Sequence, residues 1–329
     1  MMQLETVAVI GGGAWGTALA QAAAMAGRAV TLVVRDAVKA DAINTTHTND
    51  AALPGQVLHD NVRALGRFEG ADIVILAVPA QATRGLLSTL DPALLAGRPV
   101  VLSAKGLETG TLARQSEIVA DMAPDAVPYV LSGPSFAADV AAGRPTAVTL
   151  AGDDASDTSD LASALAGPSF RPYAADDRIG VEIAGALKNV YALACGAVEG
   201  AHLGASARAA LIARGYAEMA RMVTAMGGSA HTLTGLAGLG DLTLTCTSVQ
   251  SRNYQFGMAL GAGRKTDDIL ASGAKLAEGV ATAPVAAALA KSLDVDAPLI
   301  EAVQAFVAGK ADIATIVAGL MSRPLKREH

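Results

Sequence analysis

The sequence predicts an α/β fold, with a mainly parallel sheet in the N-terminal part and an all-α C-terminal part. Three observations carry this. Short apolar runs alternate with helical stretches through the first half of the 329 residues. Those runs are apolar almost throughout, as suits strands covered on both faces. Beyond Asp177 no strand series continues, and Ala/Gly/Leu-rich helical periodicity takes over. Alternating strand and helix segments build βαβ units, and at roughly 150 residues per domain the length suits two domains. The expected division is 1–177 and 178–329, at the Asp176-Asp177 turn.

Residues 6–10 form the first strand candidate and end in glycines, and the alanine-rich stretch 17–25 reads as a helix. Further strand candidates are 29–34, 72–78, 99–103, 128–131, 146–151 and 170–173. In the second half, 204–227 and 282–293 read as helices.

Composition narrows the function. The net charge of −6 and the 3% of aromatic residues argue against nucleic-acid binding, which leaves a basic footprint. The chain is 52% hydrophobic, yet no uninterrupted apolar run approaches the roughly 20 residues of a membrane helix. The start Met1-Met2-Gln3-Leu4-Glu5 lacks a basic region and an apolar signal core, so no membrane insertion and a cytoplasmic location are expected. Cys195 and Cys246 form no Cys-x-x-Cys unit and read as reduced thiols. The five histidines (His47, His59, His202, His231, His329) make no ligand-spaced cluster, and no metal is expected.

Gly11-Gly12-Gly13-Ala14-Trp15-Gly16 satisfies G-x-G-x-x-G, directly after a strand and at the opening of a helix. In that context Gly11, Gly13 and Gly16, with Ala14 opening the helix, let backbone N–H groups approach a pyrophosphate, the device of a Rossmann-type NAD or NADP domain. The second strand runs out in Arg35-Asp36. Arginine there favours the 2′-phosphate of NADP, while Asp36 leaves room for NAD; an exposed turn arginine is the plain alternative. Gly11, Pro79, Lys105 and Gly133 all follow strands, so they can converge on one rim, and ligands of open parallel sheets bind at that rim.

The second half adds Lys188 within Gly-Ala-Leu-Lys-Asn, on a small, apolar helical face with no carboxylate three or four residues away. Such a lysine either snorkels to solvent or enters a cleft where desolvation lowers its pKa. Gly238-Leu-Gly-Asp241 delivers a carboxylate from a glycine turn, and Ser251-Arg252-Asn253 offers an arginine fork suited to phosphate. A helix cap by Ser251 is the alternative there.

Taken together, segments 11–19, 103–108, 132–137, 180–189, 235–247, 251–253 and Glu278-Gly279 resemble the bacterial NAD(P)-dependent sn-glycerol-3-phosphate dehydrogenase family. The resemblance implies that Trp15, Arg35, Lys105, Ala137, Arg252, Leu276 and Glu278 contact the dinucleotide. It implies that Lys105, Gly133, Ser135, Lys188, Asp241, Ser251, Arg252 and Asn253 surround the triose phosphate, with Lys188 as the acid/base. The implied reaction is reversible reduction of dihydroxyacetone phosphate by NADH or NADPH to sn-glycerol 3-phosphate, supplying glycerophospholipid synthesis, and a homodimer is a candidate assembly. Trp15 and Ser135 stand where many relatives carry a smaller residue and threonine, and neither change removes a required group. A two-domain β-hydroxyacid or sugar-acid-phosphate dehydrogenase would share the glycine loop without the Gly-Leu-Gly-Asp and Ser-Arg-Asn runs. A non-catalytic NADP-sensing protein would leave Lys188, Asp241 and Arg252 without a role.

Overall fold

The computed structural model of the chain describes residues 4–272 and 277–324. Eight strands form a single sheet: β1 (Thr6–Ile10), β2 (Ala29–Val33), β3 (Val62–Leu65), β4 (Ile73–Leu76), β5 (Pro99–Leu102), β6 (Val127–Ser132), β7 (Thr146–Ala151) and β8 (Phe170–Ala175). Their order is β3-β2-β1-β4-β5-β6-β7-β8. The first six are mutually parallel, whereas β7 pairs antiparallel with β6 and parallel with β8. Seven strands coincide with the apolar runs of the sequence. β3 has no counterpart among them: only Val62 and Ala64 are buried, the side chain between is the exposed Arg63, and the strand sits at the sheet edge.

The direction of winding reverses between β1 and β4, which opens a crevice at their carboxyl ends. Gly11 lies there with φ +128°, and a Cβ on it would stand 2.5 Å from the carbonyl oxygen of Ala77, just past β4. A side chain would close the junction. The β1–β2 register, Ile10 opposite Val33, brings the tip of β2 beside the same loop. One face of the sheet buries Leu32, Ile73 and Ile75 with Leu19 and Leu161 from helices Ala14–Met25 and Ala155–Leu165. The other face buries Val74, Leu76 and Leu102 with Ile118 and Val119 from helix Gln115–Met122.

From Arg178 to Met321 the described residues are helical apart from connections. Helix Arg178–Gly200 is the axis of this C-terminal region, and eighteen of its 23 residues are buried. Asp177 caps its start by accepting from Gly180 N at 2.8 Å. By length and hydropathy this helix could cross a membrane, but 94% of its apolar window is buried within the fold. It packs against helix Arg252–Gly261 through glycines on both sides. A Cβ on Gly196, Gly200, Gly257 or Gly261 would fall within 2.0–2.2 Å of a facing carbonyl oxygen. That close approach sets the start of Arg252–Gly261 against the Lys188-Asn189 turn of its partner.

Candidate active site

Three elements build the centre of the site. The turn after β5 supplies Lys105, helix Arg178–Gly200 supplies Lys188, and helix Asp241–Thr247 supplies Asp241 and Thr245. Gly185 makes the first approach possible, because a Cβ there would lie 2.9 Å from Ser132 Oγ and 3.7 Å from Lys105 Cγ. Asp241 follows one wide helical turn, Leu236–Gly240. Gly238 packs flush on the Leu233 backbone, 2.2 Å from its carbonyl oxygen to a notional Cβ. Wide turns of this kind recur at functional sites.

Asp241 is fully buried and bridges two ammonium groups. Lys105 Nζ donates to Oδ2 at 2.7 Å, and Lys188 Nζ donates to Oδ1. Lys188 also donates to Thr245 Oγ1 at 2.9 Å, and Thr245 returns a 3.2 Å bond to Asp241 Oδ1. Lys105 donates further to Gly133 O at 3.3 Å. An ammonium has three N–H donors. Among the described residues, each lysine therefore spends two and keeps one.

Burial governs the electrostatics. It lowers the Lys188 pKa to about 8; Asp241 pulls it back up and Lys105 pushes it down. Burial acts upward on Asp241, but Lys105 and then Lys188 outweigh it and hold the carboxyl below its usual range. Glu278, first in helix Glu278–Ser292, is raised by burial despite the nearby charges of Arg252, Lys105 and Lys188.

An amide chain ties the turn after β5 and helix Arg178–Gly200 to helices Arg252–Gly261 and Glu278–Ser292. Asn189 Nδ2 donates to Lys105 O at 3.2 Å and to Glu278 Oε2 at 3.4 Å. Asn189 Oδ1 accepts from Asn253 Nδ2 at 2.9 Å, and Asn253 Oδ1 accepts from Gly279 N at 2.8 Å. Buried amides demand such pairing. Asn253 thus spends its oxygen and one N–H on the fold. Ser251 caps helix Arg252–Gly261, accepting from Tyr254 N at 3.2 Å. Arg252 is exposed and has no hydrogen bond or ion pair among the described residues. Ser135 donates to Gly133 O at 3.1 Å on the same rim.

The glycine loop leaves the space a dinucleotide needs. Gly13 precedes helix Ala14–Met25 without a side-chain cap, and a Cβ on it would meet nothing within 4 Å. Gly16 admits no side chain, since its Cβ would stand 1.9 Å from Gly11 O. Trp15 lies half-buried against the core with Nε1 unpaired among the described residues. Ala137 opens helix Ala137–Ala141 and is half-buried. Arg35 is exposed, and Asp36 caps helix Ala37–Thr46, accepting from Val38 N at 2.9 Å. Leu276 lies outside the described residues. Lys39 and Asn49, which sequence reasoning passed over, both donate to Gly12 O, at 3.1 and 3.2 Å. Thr245 was passed over too, although it lies four residues after Asp241 and so on the same helical face.

Residues 6–158 match the family profile described as NAD-dependent glycerol-3-phosphate dehydrogenase N-terminus, and residues 177–318 match its C-terminus counterpart. A Caulobacter vibrioides protein named glycerol-3-phosphate dehydrogenase, NAD(P)+, is 49% identical over 99% of this chain and 100% of its own. A Methylobacterium radiotolerans protein of the same name is 51% identical over 99% of both chains. The crystal structure of a Coxiella burnetii glycerol-3-phosphate dehydrogenase superposes with a TM-score of 0.91 at 37% identity, covering 97% of this chain and 99% of that one. With the glycine loop, the two-lysine cluster and both halves of the profile in place, the chain belongs to the NAD-dependent glycerol-3-phosphate dehydrogenase family.

Proposed function

We propose that this chain is an NAD(P)-dependent dehydrogenase that interconverts dihydroxyacetone phosphate and sn-glycerol 3-phosphate, with residues 1–177 holding the dinucleotide and 178–329 closing over the triose. The single observation carrying the mechanism is the carboxylate of Asp241 bridging Lys105 and Lys188, with one N–H of each ammonium left without a partner among the described residues. The residues of the glycine loop fit a nicotinamide dinucleotide, which when bound supplies the hydride. Gly13 and the uncapped start of helix Ala14–Met25 would receive its pyrophosphate.

The remaining donor of Lys188 faces the developing alkoxide at C2 and gives it a proton, while its positive charge stabilises the oxygen as charge builds. Lys105 holds the neighbouring oxygen. Asp241 keeps both cations in place and offsets their mutual repulsion. Arg252, exposed and unpaired among the described residues beside Glu278, is available to the phosphate, whose binding energy positions the carbonyl. In the oxidative direction neutral Lys188 takes the hydroxyl proton back. Cytoplasmic residence, glycerophospholipid supply and a homodimer belong to the same reading, on the strength of the resemblance.

The test is an absorbance assay of dihydroxyacetone phosphate with NADH and NADPH in parallel. Cofactor oxidation dependent on the triose phosphate is expected. Folded protein that oxidises neither cofactor would overturn the reading.

A further inference from the structure

The tip of β2 and the first turn of helix Ala37–Thr46 carry two cations that the reaction does not use. Arg35 is exposed and has no partner among the described residues. Lys39 is half-buried, and its Nζ hangs over the glycine loop, 3.8 Å from where a Cβ of Gly12 would be. Its hydrogen bond to Gly12 O, at 3.1 Å, goes to a neutral carbonyl already served by Asn49 Nδ2 at 3.2 Å. No carboxylate among the described residues pairs with Lys39 or Arg35, in a chain of net charge −6.

In dinucleotide domains an acidic side chain at this strand tip accepts from the ribose 2′-hydroxyl, which favours the unphosphorylated cofactor. The acid here, Asp36, is engaged locally: it is the N-cap of helix Ala37–Thr46, and its Oδ1 accepts from Val38 N at 2.9 Å. Among the described residues, the ribose edge of the crevice thus presents two cations without a carboxylate partner, beside an aspartate already engaged by its own helix. From this geometry we propose that Lys39 is a specificity-determining residue, acting with Arg35 as the second cation of a 2′-phosphate site that makes the chain prefer NADPH. The proposal rests on the dinucleotide reading above and adds which dinucleotide is selected.

Binding of the adenine halves of the two cofactors tests it without turnover. Titration calorimetry on the full chain is expected to show 2′,5′-ADP binding at least about tenfold tighter than 5′-AMP, with the difference shrinking as salt is raised. Lys39→Met should cost 2′,5′-ADP about tenfold and leave 5′-AMP within about twofold, a selective loss on the scale of one charge-assisted contact. Lys39→Arg should restore most of the preference. Equal weakening of both nucleotides by Lys39→Met would make Lys39 a brace for the Gly12 loop and overturn the proposal. Equal affinity of the unaltered chain for both nucleotides would overturn it as well. In either case oxidation of NADH or NADPH by dihydroxyacetone phosphate can persist, so the dehydrogenase reading stands or falls separately.

Discussion

A buried lysine facing one aspartate and one threonine is held between two opposing effects, and Lys188 shows which wins. Desolvation favours the neutral amine, Asp241 favours the ammonium, and the balance leaves a pKa of about 8, below the ordinary 10.5. A proton donor must be charged before the reaction, so reduction of dihydroxyacetone phosphate should be fastest below pH 8 and fall above it. Oxidation of glycerol 3-phosphate needs the neutral amine and should rise across the same interval. Profiles of kcat/KM in the two directions check this, because they report groups of the free enzyme. Lys188→Met keeps the bulk and removes the donor: kcat should drop at least about a hundredfold, the lower range for acid–base catalysis, with cofactor affinity nearly unchanged. Near-normal turnover would make Lys188 a structural lysine. The sequence made Lys188 conspicuous by the lack of a carboxylate three or four residues away on its helix. Its partner was illegible because Asp241 lies 53 residues further on and reaches it only through tertiary packing.

Helices Arg178–Gly200 and Arg252–Gly261 show how an element far from chemistry sets a distance within the site. Small residues let two backbones approach until carbonyl oxygens touch the glycine positions, and that contact fixes Asn253 against Asn189. Gly257→Ala would put a methyl 2.2 Å from Leu193 O. The helices must then part. Overpacking of this kind costs roughly 1–3 kcal/mol, partly offset by about 1 kcal/mol of helix propensity. The expected result is a lower thermal midpoint together with a raised KM for dihydroxyacetone phosphate. Gly319→Ala, on helix Ile313–Met321 with nothing within 4 Å, should be neutral or mildly stabilising by the same measurements. If the two variants melt alike, the close packing is not what positions the site. Glycine-rich periodicity was visible in the sequence as helical pattern. Which glycine faces which carbonyl was not, since periodicity specifies a face and not its partner.

At the scale of the whole chain, strands with uniform apolarity were legible because both sheet faces are covered, whereas β3 was not, its exposed Arg63 interrupting the run at the edge. The antiparallel turn into β7 was equally hidden, since apolar content carries no strand direction. Buried charge was hidden for a third reason: nothing in the sequence around Glu218 marks it as enclosed. It sits on helix Ala205–Ala225 and accepts from Leu299 N at 2.6 Å and Ile300 N at 3.2 Å, the first turn of helix Pro298–Val307. Burial raises its pKa to about 7 in spite of those two donors; Arg221 pulls it down and Asp296 pushes it up. The folded value lies above the unfolded one, near 4.5, so between them the native state binds more protons than the unfolded chain. Stability from this group is therefore full below pH 4.5 and is lost as the pH rises through about 7, a change on the order of 3 kcal/mol. Glu182 and Glu278, also raised by burial, act with the same sign. Lys188, with its folded value lowered to about 8, contributes only above that pH and with the opposite sign. Urea unfolding at intervals from pH 5 to 7.5 should thus show stability declining with pH. In Glu218→Gln the neutral amide serves only one of the two N–H donors, so the whole curve drops, but the slope should flatten because the group no longer titrates. The slope is the observable. Parallel curves for the two proteins would mean that Glu218 titrates alike in the folded and unfolded chain, and that the buried contact between these helices does not govern the pH response.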